Sequence, residues 1–502
     1  MPTKYISKRR LHNQAPWINF RFIAYAIGNM CLLESGFLVL CVLVSLLYRE
    51  SSLGPFLWTA LIMVAVALLL RSWGKDHTKH RQHVGSREGM LAVTLSWITL
   101  SSIGMLPFVF GGYVPTVADA FFETVSGFTT TGATVFEEIE NLPHALLLWR
   151  SMTQWQGGIG IIFFTLALPQ VNSVGGSSLY NAETTGIKHE RFLPRIAEVA
   201  RRLWGVYVGL TLLLMLLLWA GPMNLFDAVC HAFSCISTGG FSTHNNGVLH
   251  FNSAYVEYVL TLFMFIGSIN FTWIYMSLAH RSLKRLYREE EFRWFVGFLA
   301  FFIVATFLWL FIKNIYASPE LAFRRSIFQV ITLTSSTGFV TAENVNEWHS
   351  FFFSLAIIMM TVGGCAGSTS GGFKIGRFMV MVKNLSNEFK KRIHPSMVTN
   401  VRFNGKAVDT DVVIQVLAFV GLYLGVIIIS TFLLCLGGNS FLSSVSDSVT
   451  CISNVGPSFG PHAMNFSLAG SFEKVVLSLV MLAGRLEVFT LIGIFVPSFW
   501  RK

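Results

Sequence analysis

The chain has 502 residues, of which 53% are hydrophobic, 14% are aromatic and only 13% are charged, and its mean hydropathy is +0.58. A water-soluble protein of this size could not bury so much apolar surface, so the composition predicts a polytopic membrane protein. The net charge of +11 comes from basic segments that alternate with apolar stretches, a pattern of membrane topology, and it therefore does not indicate a nucleic-acid partner.

Apolar stretches near bilayer length predict about ten transmembrane segments. They lie at 23–47, 55–72, 89–110, 144–168, 203–221, 254–278, 294–315, 350–363 with a broken continuation, 411–436 and 472–497. The basic segment KYISKRRLHNQ precedes the first stretch without a small-residue cleavage site. This arrangement predicts a retained anchor and not a removed signal peptide.

Basic residues follow alternate stretches and predict the orientation of the chain. They are Lys4, Lys8, Arg9 and Arg10; Arg71, Lys75, Lys79, Arg81 and Arg87; Lys188, Arg191, Arg195, Arg201 and Arg202; Arg281, Lys284, Arg285 and Arg288; Lys374, Arg377, Lys383, Lys390, Lys391 and Arg392; and Arg501 and Lys502. By the positive-inside rule, these segments and both termini are cytoplasmic. The acidic stretch at 137–140 then lies outside, either as a cation vestibule or as a solvated loop.

The seven cysteines and thirteen histidines form no CxxC, HExxH or similar spacing. The cysteines lie inside apolar runs, where they are expected to be small buried hydrophobes. We therefore expect no cofactor or metal centre in this chain. A membrane enzyme is also disfavoured, since no nucleophile, base and metal group recur together.

Four short segments repeat one theme about 100 residues apart: GFTTTGAT, CISTGGFS, TSSTGFVT and CISNVGPSFG. Each follows a short amphiphilic run of about 10 to 12 residues, which cannot cross a core about 30 Å thick and must turn back. Irregular backbone at that depth needs cover from protein or water. The repeats predict an all-α protein with four tandem units of helix, re-entrant pore loop and helix in pseudo-fourfold arrangement. The units occupy 86–190, 191–290, 291–400 and 401–502, after an N-terminal segment and helix pair at 1–85.

The turn of each repeat carries the candidate selectivity filter. Its residues are Thr130, Thr131 and Gly132; Ser237, Thr238 and Gly239; Ser336, Thr337 and Gly338; and Asn454, Val455 and Gly456. Glycine accepts positive φ, which lets successive carbonyls face one side, and rings of carbonyls can replace the hydration shell of an alkali cation. The candidate ion ligands are the carbonyls of Thr130, Thr131, Thr238, Gly239, Thr337, Gly338, Val455 and Gly456. Close helix packing by Gly with Ser or Thr is the alternative, but four matching copies favour the filter.

A glycine-rich break in unit three is the candidate gate. It contains Gly363, Gly364, Gly367, Ser368, Thr369, Ser370, Gly371 and Gly372. Glycine costs a helix about 1 kcal/mol per residue, so we expect an unwound loop, which could serve as a gate or as a packing kink. Arg485, in the last apolar run, would raise the barrier to cations and could hold loop carbonyls. Lys374 could join the gate or reach the cytoplasmic surface, Glu487 is expected on another helix face, and Glu34 needs a partner that the sequence does not identify.

These motifs, with WRSMTQWQGGIGI at 149–161, GGCAGSTSGGFK at 363–374 and AGRLEVFTL at 483–491, make the chain resemble the Trk/Ktr/HKT superfamily of potassium transporters over almost its whole length. The N-terminal pair favours the bacterial Trk-type membrane subunit. The resemblance implies K⁺ uptake across the prokaryotic plasma membrane, a homodimer, and a cytosolic nucleotide-binding regulatory subunit of the Trk A type.

The same resemblance implies that the glycine-rich loop crosses beneath the filter as a gate, with Arg485 at the constriction. Family members with serine at the first filter position tend to pass Na⁺, so Gly132 implies a preference for K⁺. A channel and an ion-coupled symporter (K⁺/H⁺ or K⁺/Na⁺) both remain open, because both can use one filter. A transporter with inverted repeats is disfavoured, since the four units share one orientation.

Overall fold

The computed structural model describes residues 18–75, 86–167, 192–341 and 348–501. Several predictions fall on residues outside these ranges, namely those for the segment 4–14, Lys79, Arg81, Lys188, Arg191, Lys502 and the unit boundary at 190. The described ranges are almost entirely helical. Their one sheet pairs the antiparallel strands β1 (Arg402–Phe403) and β2 (Lys406–Ala407).

The helices follow one another in this order. They are α1 Phe20–Tyr48, α2 Leu53–Gly74, α3 Ser86–Gly104, α4 Leu106–Phe110, α5 Val117–Phe128, α6 His144–Ala167, α7 Phe192–Trp219, α8 Leu225–Ile236, α9 Ala254–Gly267, α10 Phe271–Ala279, α11 Lys284–Arg288, α12 Glu290–Ile312, α13 Pro319–Thr334, α14 His349–Val362, α15 Ile375–Ile393, α16 Thr410–Leu436, α17 Phe441–Ser453, α18 Ser471–Arg485, α19 Val488–Phe495 and α20 Pro497–Trp500.

Within the described ranges, six helical stretches are long and apolar enough to cross a membrane, and two bent helix pairs also qualify. The six are Phe20–Tyr48, Leu53–Gly74, Arg87–Phe110, Glu198–Trp219, Glu290–Ile312 and Thr410–Leu436. The other two predicted segments coincide with α6 and with α14, which ends at the predicted break. Large apolar side chains such as Leu47 (78% exposed) and Ile428 (68%) remain on outer helix faces. Such faces suit lipid, and the chain is a polytopic membrane protein.

Two predicted spans are not straight. The chain bends by 100° between α9 and α10 and by 114° between α18 and α19, whereas the sequence predicted uninterrupted helices there. At the first bend, Asn270 caps the new helix by accepting a hydrogen bond from the Thr272 backbone N–H at 2.8 Å. At the second bend, Glu487 takes a left-handed φ of 57°. Local polar capping and a single strained residue thus interrupt runs whose hydropathy is continuous.

The N-terminal helices α1 and α2 pack against each other and against the first unit. The two helices are close at Gly74, where an added Cβ atom would lie only 2.6 Å from the Arg21 carbonyl oxygen. Glu34 is buried in α1, and the Gln156 side chain of α6, in the amide orientation that satisfies both groups, donates to its two oxygens at 2.5 and 2.7 Å. Gln156 is the partner that the sequence did not identify.

Four helices are too short to cross the bilayer and precede the four repeated turns. They are α5 with 12 residues, α8 with 12, α13 with 16 and α17 with 13. The third is longer than predicted, but at 1.5 Å per residue it spans about 24 Å, less than the roughly 30 Å core. Each begins at a side-chain cap, from Thr116, Asn224, Ser318 or Ser440. We call these four the pore helices.

Candidate ion pathway

The four turns after the pore helices share one backbone conformation. A left-handed residue comes first, and it is Thr130, Thr238, Ser336 or Asn454, with φ of 53°, 55°, 54° and 52°. Two residues later comes a glycine of positive φ, which is Gly132, Gly240, Gly338 or Gly456, with φ of 84°, 80°, 81° and 101°. The residue between them donates its N–H to the carbonyl five residues back in every unit, at 2.9, 2.7, 2.9 and 3.0 Å. The four units therefore align residue by residue.

This alignment corrects the predicted register of unit two. Ser237, Thr238 and Gly239 were expected to match the other units, but the matching residues are Thr238, Gly239 and Gly240. The error arose because two glycines are adjacent, and composition alone does not distinguish which one takes the positive φ. In units one, three and four the predicted triplets occupy the same three positions of the turn.

The turns approach one another in cyclic order. A Cβ atom at Gly132 would overlap the Gly239 carbonyl oxygen, and one at Gly240 would overlap that of Thr337. In the same way, a Cβ atom at Gly338 would meet the Val455 carbonyl oxygen, and one at Gly456 would lie 2.5 Å from that of Thr131. Each glycine thus packs on a carbonyl of the next unit, and the fourth unit packs on the first. The four backbones surround one axis.

Side chains hold these turns in place, and one of them, Gln154, was not among the predicted filter residues. The Gln154 amide donates to the Gly239 carbonyl at 2.7 Å and accepts from the Phe241 N–H at 3.1 Å. The Asn454 amide donates to the Thr131 hydroxyl at 3.0 Å, which links units four and one. An uncharged amide inside an apolar helix is the one signal that could have identified Gln154.

Buried ion pairs brace the pore helices. Arg150, 2% exposed, pairs with Glu123 at 2.8 Å and donates to the Ser242 carbonyl at 3.2 Å, so it links unit one to unit two. Lys474 pairs with Asp119 at 2.6 Å and links unit four to unit one. Because each charge has a partner, these pairs fix the geometry without leaving an unpaired charge beside the axis.

The segment after the fourth turn is anchored in a similar way by His462. Its Nδ1 lies 2.8 Å from Asp447 of the fourth pore helix. That hydrogen bond and the negative charge of Asp447 raise the pKa of His462 above its ordinary value, although burial acts in the opposite direction. The hydrogen bond to Asp447 therefore holds this segment against its pore helix, and it is strongest when the imidazole is protonated.

The glycine-rich segment of unit three is unwound, as predicted, between the end of α14 and the start of α15. Its glycines at 363, 367 and 372 have φ near 71–72°. The Thr369 hydroxyl lies 3.1 Å from the carbonyls of Ile236 and Gly267 in unit two. Gly371 donates to the Ser336 hydroxyl of unit three, and Gly372 donates to the Ser453 carbonyl of unit four at 3.1 Å. The loop therefore lies directly against the ends of the pore helices.

Within the loop, polar side chains stabilise the turn. Ser368 and Ser370 share a hydrogen bond of 3.0 Å, and the Ser370 hydroxyl accepts from the Gly364 N–H at 3.1 Å. Lys374 donates from Nζ to the Ser370 carbonyl. Lys374 thus bonds to the loop and does not extend toward the surface.

Arg485 is 2% exposed and joins the loop to the first unit. Its guanidinium donates to the Thr369 carbonyl at 2.9 Å and to the Gly157 carbonyl at 2.9 Å. Both partners are neutral, and among the described residues Arg485 has no carboxylate partner. A buried positive charge of this kind repels cations strongly in a medium of low dielectric constant.

Glu487 contributes to the other side of the same bend. Its carboxylate lies 2.8 Å from the guanidinium of Arg377, in the first turn of α15. The guanidinium carbon of Arg377 also lies 3.9 Å from the Phe419 ring centroid. The ion pair ties the chain that follows the loop to the break between α18 and α19. Glu487 was expected on another face of a continuous helix, but it lies at the break between α18 and α19, where it contacts α15.

Residues 57–502 match the TrkH family, described as a cation transport protein. The chain is 37% identical over 487 residues to the Trk system potassium uptake protein TrkH of Escherichia coli K12, covering 97% of this chain and 100% of that one. It is 31% identical to TrkG of the same organism, with 96% and 99% covered. The crystal structure of the potassium transporter TrkH from Vibrio parahaemolyticus superposes with a TM-score of 0.88 at 34% identity, covering 96% of this chain and all of that one.

Proposed function

The chain belongs to the TrkH family of cation transport proteins, and on that premise we propose that it takes up K⁺ across a prokaryotic plasma membrane through a selective pore on the axis between its four turns. The observation that carries this proposal is the cyclic packing of glycine on carbonyl around that axis. Backbone oxygens converge there from four sides without a net charge that would trap the ion. The relatives named as potassium uptake proteins supply the choice of ion.

The corrected register leaves the expectation of K⁺ over Na⁺ unchanged. Glycine occupies the equivalent position in all four units, at 132, 240, 338 and 456. The ion ligands in this proposal are those expected from the sequence, namely the carbonyls of Thr130, Thr131, Thr238, Gly239, Thr337, Gly338, Val455 and Gly456. The pore helices end beside these carbonyls, and the negative ends of their dipoles favour a cation there.

The gate in this proposal is the loop at 363–372 together with Arg485. The loop bonds to pore-helix ends or filter residues of units two, three and four, and Arg485 bonds it to unit one. A loop with partners in all four units closes the axis from below, and the guanidinium adds an electrostatic barrier. The contacts at 2.9 Å from Arg485 to backbone carbonyls support a gate over a packing kink.

Further parts of the proposal follow from the family. We infer a homodimer with both termini in the cytoplasm, regulated by a cytosolic nucleotide-binding subunit of the Trk A type. The name "Trk system" given to the relatives supports more than one component. A periplasmic reporter fused after Lys502 should be inactive, because the basic segments predict a cytoplasmic end; an active reporter would contradict the orientation.

The transport proposal is tested with the purified chain in liposomes. Uptake of radiolabelled Rb⁺ is measured against increasing K⁺, Na⁺ or Li⁺ outside. We expect K⁺ to compete strongly and Na⁺ weakly. Equal competition by Na⁺ would replace the proposal with a Na⁺-permeable pore. Uptake that requires an imposed H⁺ or Na⁺ gradient would replace it with a coupled symporter.

A further inference from the structure

Two histidines and a glutamate come together beside the first two pore units. Glu140 lies in the segment after the first turn, and His244 and His250 lie after the second. One ligand atom from each lies within 4.8 Å of the other two. The His244 and His250 rings stack with centroids 3.6 Å apart. Glu140 and the histidines are over 100 residues apart in sequence, so no short sequence motif contains all three residues.

The ring of His244 has a carboxylate beside each of its nitrogens. Its Nε2 lies 3.3 Å from a carboxylate oxygen of Asp227, and its Nδ1 lies 3.3 Å from a carboxylate oxygen of Glu140. Metal-binding histidines commonly donate their second nitrogen to a carboxylate, which fixes the ring and leaves the other nitrogen for the ion. Asp227 occupies the position of that orienting carboxylate, and Glu140 occupies the position of a second ligand.

From this geometry we propose that Glu140, His244 and His250 bind a divalent transition-metal ion of the Zn²⁺ class on the outer side of the protein. Zn²⁺ accepts imidazole nitrogen and carboxylate oxygen at about 2.1 Å, so its tetrahedral ligand atoms lie about 3.4 Å apart. Glu140 and His250 are exposed, and the His250 ring must turn out of its stack on His244 so that a nitrogen lone pair of each ring points at the same ion. Water supplies the fourth ligand.

The site borders the proposed ion pathway. His244 lies four residues after Gly240, and the backbone N–H of His244 donates to the Ser242 hydroxyl at 3.1 Å. Glu140 and His244 also line a cavity of about 350 Å³. A bound ion would fasten the segment after the first turn to the segment after the second. It would also add positive charge on the side where cations enter. Outside Zn²⁺ should therefore slow uptake, an effect that rests on the proposed transport function.

Metal binding is measured first, independently of transport. Full-length protein without an affinity tag is titrated in detergent with Co²⁺, whose visible absorption reports nitrogen and oxygen ligands, and then with Zn²⁺ as competitor. We expect one saturable ion per chain. His244→Ala and His250→Ala should lose it, and Asp227→Asn should bind about tenfold more weakly. His280→Ala is the matched control, because His280 is exposed and outside the cluster.

Uptake of Rb⁺ is then measured with and without outside Zn²⁺. We expect Zn²⁺ to reduce Rb⁺ uptake at least twofold in the parent and in His280→Ala, and not to reduce it in His250→Ala. His250 is exposed, so its replacement should leave folding intact. The metal site is overturned if the parent shows no saturable binding, or if His244→Ala and His250→Ala bind the ion as well as the parent does. Binding with Zn²⁺-insensitive uptake overturns its effect on transport. A complete lack of Rb⁺ uptake without Zn²⁺, both in the parent and in Arg485→Ala, which removes the gate charge, overturns the proposed function, while the binding measurement still decides the site.

Discussion

Replacing Gly240 by alanine should damage selectivity more than replacing its neighbour Gly239. At Gly240, φ is 80°, and an added Cβ would come closer than 3.0 Å to the Thr337 carbonyl oxygen. At Gly239, φ is not positive, and the added Cβ would meet the side chain of Gln154. The first change therefore displaces a backbone carbonyl of the next unit, whereas the second displaces Gln154, whose amide must turn away and whose Cβ, 2.9 Å from the added atom, must shift slightly.

The magnitude follows from the same geometry. An alanine with left-handed φ costs about 1–2 kcal/mol, and the Thr337 oxygen must in addition move out to the 3.4 Å at which ordinary contact with a Cβ atom begins. Losing one well-placed oxygen from a charged partner costs about 1.5–3 kcal/mol. Since 1.4 kcal/mol is a factor of ten, Gly240→Ala should reduce the preference for K⁺ over Na⁺ about tenfold to hundredfold.

The assay is competition by K⁺ and Na⁺ against Rb⁺ uptake in liposomes, at equal protein incorporation and with thermal stability checked for both variants. Gly239→Ala should lose stability through the hydrogen bonds of Gln154 but keep most of the preference. The reasoning is refuted if Gly240→Ala keeps the parent's preference while Gly239→Ala loses it. That result would also restore the register predicted from the sequence.

Three further changes probe the gate and the bracing. Arg485→Ala should raise Rb⁺ uptake several-fold with unchanged selectivity, because it removes both the barrier charge and the bonds to the loop. If Arg485→Lys keeps the low uptake of the parent, the effect is due to charge. Unchanged or abolished uptake in well-folded Arg485→Ala would contradict the gate. Glu487→Gln should cost about 1–3 kcal/mol of stability, because it leaves the charge of Arg377 without its partner. The loss should appear as a lower unfolding temperature in detergent, and an unchanged unfolding temperature would show that the ion pair contributes nothing. The pKa of His462 is raised above 6.5, so its pairing with Asp447 stabilises the fold fully below about pH 6.5 and loses effect as pH rises through the raised pKa. The stability gap between the parent and His462→Gln should therefore shrink as pH rises above about 6.5, and a constant gap would argue against this pair.

Much of the fold could be predicted because lipid imposes simple rules. A run such as 411–436 must be a helix, since its backbone groups can find partners only within itself, and the structure has a helix at Thr410–Leu436. The short pore helices were predicted by the same reasoning about length. The bends at Asn270 and Glu487 were not, because each depends on one local cap or dihedral angle inside an apolar run.

The candidate pathway was predictable in part for a related reason. Repetition identified the four turns, but their register in unit two depended on which of two glycines packs against a neighbouring carbonyl. The role of Gln154 was not predictable, because its partners lie 85 and 87 residues away. Arg485 could be singled out as a costly charge in an apolar run, whereas its bond to Gly157 depends on how units four and one pack.

The most direct test of the pore is to locate the ion. Crystals of the protein grown with Rb⁺ in place of K⁺ would show anomalous scattering wherever the cation binds. The account predicts peaks on the axis between the four turns, coordinated by the carbonyls of Thr131, Gly239, Thr337 and Val455 and above the loop that holds Thr369. Well-occupied peaks away from this axis, with none between the turns, would contradict it.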